Sequence, residues 1–102
     1  MDITTDGPTL VLSGDFDVRS TSEVRDALHQ QIRRRDDDVV VDLSGVEVVD
    51  LTALRVLGAA SLAAARSGQL LRLRGCTPAV RRMLHISHLI RVVEVEREPV
   101  SA

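Results

Sequence analysis

The chain has 102 residues, 44% hydrophobic and 27% charged, with a formal net charge of −2 at pH 7. That is one domain's length, with enough apolar residues for a modest core and too weak a field to favour nucleic acid or an anionic membrane. Phe16 is the sole aromatic and Cys76 the sole cysteine, which excludes base-stacking platforms and any intramolecular disulfide.

No apolar run approaches the ~20 residues of a membrane helix. The start, Met1 to Pro8, lacks the basic and apolar regions of a secretory signal. These features predict a cytoplasmic protein without membrane insertion.

In chain order, Met1 to Thr5 alternates weakly as a short edge strand does, and Asp6–Gly7–Pro8 is a turn signal. Thr9 to Ser13 is a strand by its β-branched, apolar run, so the two predict an N-terminal hairpin. Gly14 to Asp17 then forms a loop carrying Asp15 and Asp17, two acids whose plain role is turn formation at the surface. Ser20 and Glu23 are spaced as a capping box, and Val24, Ala27, Leu28 and Ile32 share one face of the helix that follows. Arg33, Arg34 and Arg35 suit the negative end of that helix, and Asp36, Asp37 and Asp38 largely cancel their field.

The centre of the chain runs from Val39 to Gly68. Val39 to Leu43 lacks alternation and reads as a central strand buried on both faces. A turn is expected at Asp42–Leu43–Ser44–Gly45, then a short apolar step from Val46 to Val49, then Asp50 as the N-cap of a helix. That helix runs from Leu51 to Arg66 and stops at Gly68. Helical spacing puts Leu51, Leu54, Gly58, Leu62 and Ala65 on one side. Thr52, Arg55, Ala59, Ala63 and Arg66 fall on the other, a small-residue face suited to a partner protein.

Leu70 to Leu73 is the next strand, and Thr77–Pro78 is an N-cap with proline at the first helical position. The third helix buries Val80, Met83 and Leu84, ends near His85 to His88, and precedes a final strand at Val92 to Val95. Glu96 to Ala102 reads as a short polar tail. Strands alternating with helices predict an α/β domain with a mixed, mostly parallel sheet, an N-terminal hairpin and about three helices.

Little in the chain suggests catalysis. His85 and His88 lie three apart with no third metal ligand in view, Cys76 has no basic pair or second cysteine, and Gly45 and Gly58 are isolated. No cofactor or metal is expected, and a non-enzymatic interaction module remains.

Three stretches resemble the STAS family, the anti-sigma factor antagonist domains of bacteria. Leu12 to Asp17 is similar to the family's L-x-G-E-L-D loop. Val41 to Val46 with Val49–Asp50 is similar to its D-L-S-x-V and D-S-S-G-L signature, and Pro78 to Leu84 with Ser87 to Leu89 to its P-x-V-x-R-L-F and S-G-L segment. The ordered set covers roughly Ile3 to Val93, which predicts a STAS domain at 1–95 and a tail at 96–102.

The resemblance implies binding to an anti-sigma factor that is an ATPase-type serine-protein kinase, gated by phosphate on the hydroxyl residue after the signature Asp. Here that position is Leu51, which cannot take phosphate, with Ala53 in place of a Gly. Thr52 is the remaining phosphorylation candidate, set against the plainer role of a first-turn Thr that hydrogen-bonds locally. The implied partner surface is Asp15, Asp17, Asp50, Leu51, Thr52 and Arg55. His88 stands for a Gly at a helix end, which predicts a left-handed His. The family's C-terminal helix is missing or reduced to the tail. A homodimer is compatible with the resemblance. The rival expectation is a non-phosphorylated STAS subunit of a larger assembly, such as a lipid-transport ATPase complex or a signalling scaffold. A small-ligand or nucleotide-binding domain is the third, with few polar groups in the sequence to support it.

Overall fold

The computed structural model describes residues 1–96, so all of the predicted tail except Glu96 lies outside the described residues. Strands β1 (Asp2–Asp6) and β2 (Thr9–Phe16) form the expected hairpin. Helix α1 (Thr21–Arg34), strand β3 (Val39–Val49), helix α2 (Leu51–Arg66) and strand β4 (Leu71–Arg74) follow. Helix α3 (Pro78–Ile86), a 3-10 turn at Leu89–Arg91 and strand β5 (Glu94–Val95) complete the described chain. The strands lie in sequence order in one five-stranded sheet, antiparallel between β1 and β2 and parallel from there on.

Strand alternation decides where the core sits. Leu10 and Leu12 of β2, Val39, Val41 and Leu43 of β3, and Leu71 and Leu73 of β4 are buried in one cluster with Val24, Leu28, Leu54, Leu57, Val80 and Leu84 of the helices. Each such aliphatic side chain contributes roughly 1.5–3 kcal/mol by leaving water. The opposite face carries Val11, Asp42 and Arg74 in one row and Thr9, Val40, Arg72 and Glu94 in the next. Among the described residues no helix covers it, and it is largely polar, with ion pairs Arg72–Asp38 at 3.5 Å and Arg74–Glu96 at 3.2 Å. The strand expected to be buried on both faces is therefore only half so. Val40 is shielded by its neighbours, and Asp42 is half-exposed.

The turn expected at Asp42 to Gly45 is also absent. Instead β3 continues to Val49 and carries two register shifts against β2, one between Asp42 and Gly45 and one between Gly45 and Val48. The Asp42 carboxylate accepts hydrogen bonds from the Ser44 N–H at 2.9 Å and hydroxyl at 2.7 Å, so the turn chemistry stabilises a bulge within a strand. A Cβ on Gly45 would lie 2.7 Å from the Ser13 Cβ, so only glycine lets the two strands approach there. Strand β2 likewise runs on to a fully buried Phe16, through what reads as a loop in the sequence.

Caps explain where the helices stop. Thr77 Oγ1 accepts the Val80 N–H at the start of α3. Gly68, at φ +75°, closes α2 with its N–H on the Ala65 carbonyl while the Gln69 N–H reaches that of Ala64. His88 adopts the expected left-handed conformation, at φ 63°. The predicted capping box of α1 does not form: Ser20 makes no side-chain cap bond, and its hydroxyl turns back to the carbonyls of Asp15 and Asp17. The final strand is shorter than expected, because a 3-10 turn occupies the residues before Val92.

Candidate functional site

The C-terminal ends of β2 and β3 lie side by side, with Asp15 opposite Val48 and Phe16 opposite Val49. Chain leaving β2 enters α1 through Asp17 to Ser20, and chain leaving β3 enters α2 through Asp50. One side chain joins the two exits. Asp50 Oδ1 accepts the Ala53 N–H at 2.8 Å, the expected N-cap, and its Oδ2 accepts the Val18 N–H at 2.9 Å. The Phe16 carbonyl accepts the Asp50 N–H at 3.3 Å as well. Both carboxylate oxygens are thus engaged, and the Asp15–Asp17 segment is held against the first turn of α2.

Asp17 serves as the turn former expected of it. Its carboxylate accepts the Arg19 N–H at 3.0 Å and pairs with the Arg19 guanidinium at 2.6 Å. The side-chain hydrogen bond from Arg19 is the main reason its carboxyl is held below the ordinary range, and the pairing raises Arg19 in turn. Asp15 is exposed and lines, with Met1, Asp17, Arg19 and Glu23, an open cavity of about 360 Å³.

Leu51, Thr52 and Arg55 are all exposed on α2. Leu51 is 39% exposed, and Val18 and Val48 beside the same junction are 63% and 53% exposed. Neither valine is among the site residues expected from the sequence. Val18 is masked by the charged residues around it. Val48 would share the inward face of Val46 in an unbroken strand, and the bulge between Gly45 and Val48 disrupts that alternation.

The two sides drawn by helical spacing do not coincide with the buried and exposed faces of α2: of the first, Leu54 and Gly58 are buried, while Leu51, Leu62 and Ala65 are exposed. The helix also buries Ala53, Leu57, Ala60 and Ala64, so small residues line its inner face. Of the small-residue side, Thr52, Arg55, Ala59 and Arg66 are exposed and Ala63 is half-buried. Thr52 and Arg55 also border a groove of about 360 Å³ between α1 and α2, with Arg25, His29, Val56 and Ala59. Cys76 is buried, as expected of a structural thiol. Among the described residues no cluster of three or more His, Cys, Asp or Glu side chains suits a metal ion, and no helix is long and apolar enough to cross a membrane.

Residues 1–94 match the family model described as Mlab, STAS domain. The chain belongs to the STAS domain family. No curated protein matches the sequence. Among solved structures, a Thermotoga maritima protein described as a candidate anti-sigma factor antagonist superposes with a TM-score of 0.77 at 17% identity, over 95% of this chain and 86% of that one. A serine-to-glutamate variant of RsbS from Moorella thermoacetica gives 0.73 at 26% identity, over 96% and 86%. The murine anion transporter Solute Carrier 26 family member A9, in its inward-facing state, gives 0.69 at 18% identity over 85% of this chain and 15% of that much longer one. The same STAS fold therefore occurs as a small separate domain and within a transporter.

Proposed function

We propose that this STAS protein is a cytoplasmic anti-sigma factor antagonist that acts by binding an anti-sigma factor of the ATPase kinase type, without a phosphate switch. The docking surface is the junction of the β2 exit and the start of α2: Asp15, Asp17, Asp50, Leu51, Thr52 and Arg55. The observation that carries this reading is the double acceptance by Asp50, which holds an acidic loop beside an exposed Leu51. An aliphatic side chain at that spot adds apolar contact area and accepts no phosphate, so binding is constitutive.

Replacing Leu51 tests the anchor directly. Leu51→Asp is expected to weaken binding to the anti-sigma kinase by at least about tenfold, measured by calorimetry on folded protein. Unchanged affinity overturns the anchor.

The second reading is a STAS subunit of a larger assembly, such as a lipid-transport ATPase complex, that is never phosphorylated. It is favoured by the family model that matches and by the transporter relative. Co-purification from the native cell separates the two, with an anti-sigma ATPase expected from the first and a transporter ATPase subunit from the second. Light scattering of the free protein reads the homodimer alternative.

A further inference from the structure

Further along α1 and α2 from the groove at Thr52 and Arg55 lies a second section of about 200 Å³, lined by His29, Ile32, Arg33, Ala63 and Ser67, with His29 common to both sections. From Thr52 to Ser67 the groove follows α2 for about 22 Å, the length of a helix of about 15 residues. Its floor is aliphatic: Val56, Ala59 and Ala60 in the first section, Ile32 and Ala63 in the second. Its lining carries Arg25, Arg55 and Arg33 with His29, and no carboxylate. None of the three arginines forms an ion pair among the described residues; Arg25 reaches only the Ser22 hydroxyl, at 3.3 Å. Four other arginines of the described residues are paired with carboxylates, in Arg19–Asp17, Arg35–Asp37, Arg72–Asp38 and Arg74–Glu96.

We infer that this groove receives an acidic amphipathic helix of the partner protein, its apolar stripe on the alanine and valine floor and its carboxylates on Arg25, Arg33 and Arg55. Two helices side by side present ridges and a furrow that suit a third helix. The charge on the rims selects an acidic one. A nucleotide is a poorer occupant, since the one aromatic side chain, Phe16, is fully buried. The groove shares Thr52 and Arg55 with the docking surface above, so naming this helix as the partner's rests on that reading.

The probe is a synthetic amphipathic peptide of about 15 residues with leucine and alanine on one face and glutamate flanking it. A control carries lysine for glutamate. Fluorescence anisotropy is expected to show binding of the acidic peptide alone, weakening as salt rises, and methyl shifts are expected at Val56, Ala59, Ala60 and Ala63. The double reversal Arg25→Glu and Arg33→Glu changes two exposed groove residues that lie outside the docking surface of Asp15, Asp17, Asp50, Leu51, Thr52 and Arg55. It is expected to lower peptide affinity by at least about tenfold with the melting temperature preserved. Equal binding of both peptides, no binding of either, shifts confined to other surfaces, or insensitivity to the double reversal overturns the inference. Leu51→Asp leaves the groove intact and is expected to keep peptide binding. Loss of the anti-sigma reading and loss of the acidic-helix groove are therefore read by separate measurements.

Discussion

Asp50 carries two tasks with one side chain, because its oxygens accept from Val18 and Ala53, residues on different segments. Asp50→Ala strands the N-terminal amides of α2 and releases the loop. A loss of about 1–2 kcal/mol is expected, read as a fall of several degrees in melting temperature. Asp50→Asn is expected to recover only part of it, since its single amide oxygen can accept from Ala53 or from Val18 but not from both. Asp17 makes a second residue-scale prediction. Its pairing with Arg19 lowers its pKa from an ordinary 3.8. Since the folded value is the depressed one, the stabilisation is fully present above the ordinary value and fades as pH falls through the folded one. Arg19→Ala is expected to shift the Asp17 carboxyl titration upward in an NMR pH series. No movement would show that the guanidinium does not hold the carboxylate.

At the scale of elements, β3 shows what local pattern reading captures and what it misses. The D-L-S-G stretch has turn chemistry, and the Asp42 carboxylate does bond to Ser44 as in a turn. What the pattern omits is the neighbouring strand: pairing with β2 draws the segment into the sheet, and the turn propensity appears as a bulge. Gly45→Ala tests that account, since its Cβ would meet Ser13 at 2.7 Å. A loss of about 1–3 kcal/mol is expected, and a neutral variant would mean the two strands separate without cost. Helix α2 has the expected bounds, but its buried face is not readable from spacing. Leucine, valine and alanine give its faces little contrast, so spacing alone cannot choose which alanines face the sheet. By contrast, Thr77–Pro78, Gly68 and Asp50 are legible because each has a single residue-level mechanism. Ser20 is not, because its hydroxyl finds a nearer acceptor in the loop it closes.

Across the whole molecule, element order and sheet direction were readable from the sequence because strands and helices alternate with distinct periods. The polar second face of the sheet was less so, since a run of three valines says that a strand is central without saying what covers it. Of the site, the Asp50 cap and the exposure of Leu51 follow from local rules. The exposed pair Val18 and Val48 and the α1–α2 groove depend on tertiary placement. The absence of a hydroxyl at position 51 gives the last prediction. If the partner is the proposed anti-sigma kinase, Leu51→Ser is expected to gain ATP-dependent phosphate from it and to lose binding once modified, by mass spectrometry and calorimetry. The unaltered protein is expected to stay unmodified there and bound; phosphate on Thr52 that releases the partner would overturn constitutive binding.

The Asp50 bridge also affects what association costs. A recognition loop on an unbraced exit would surrender conformational freedom at the moment of contact, and affinity would fall accordingly. Here that freedom is lost when the chain folds, so under the proposed reading an incoming protein meets a rim already assembled.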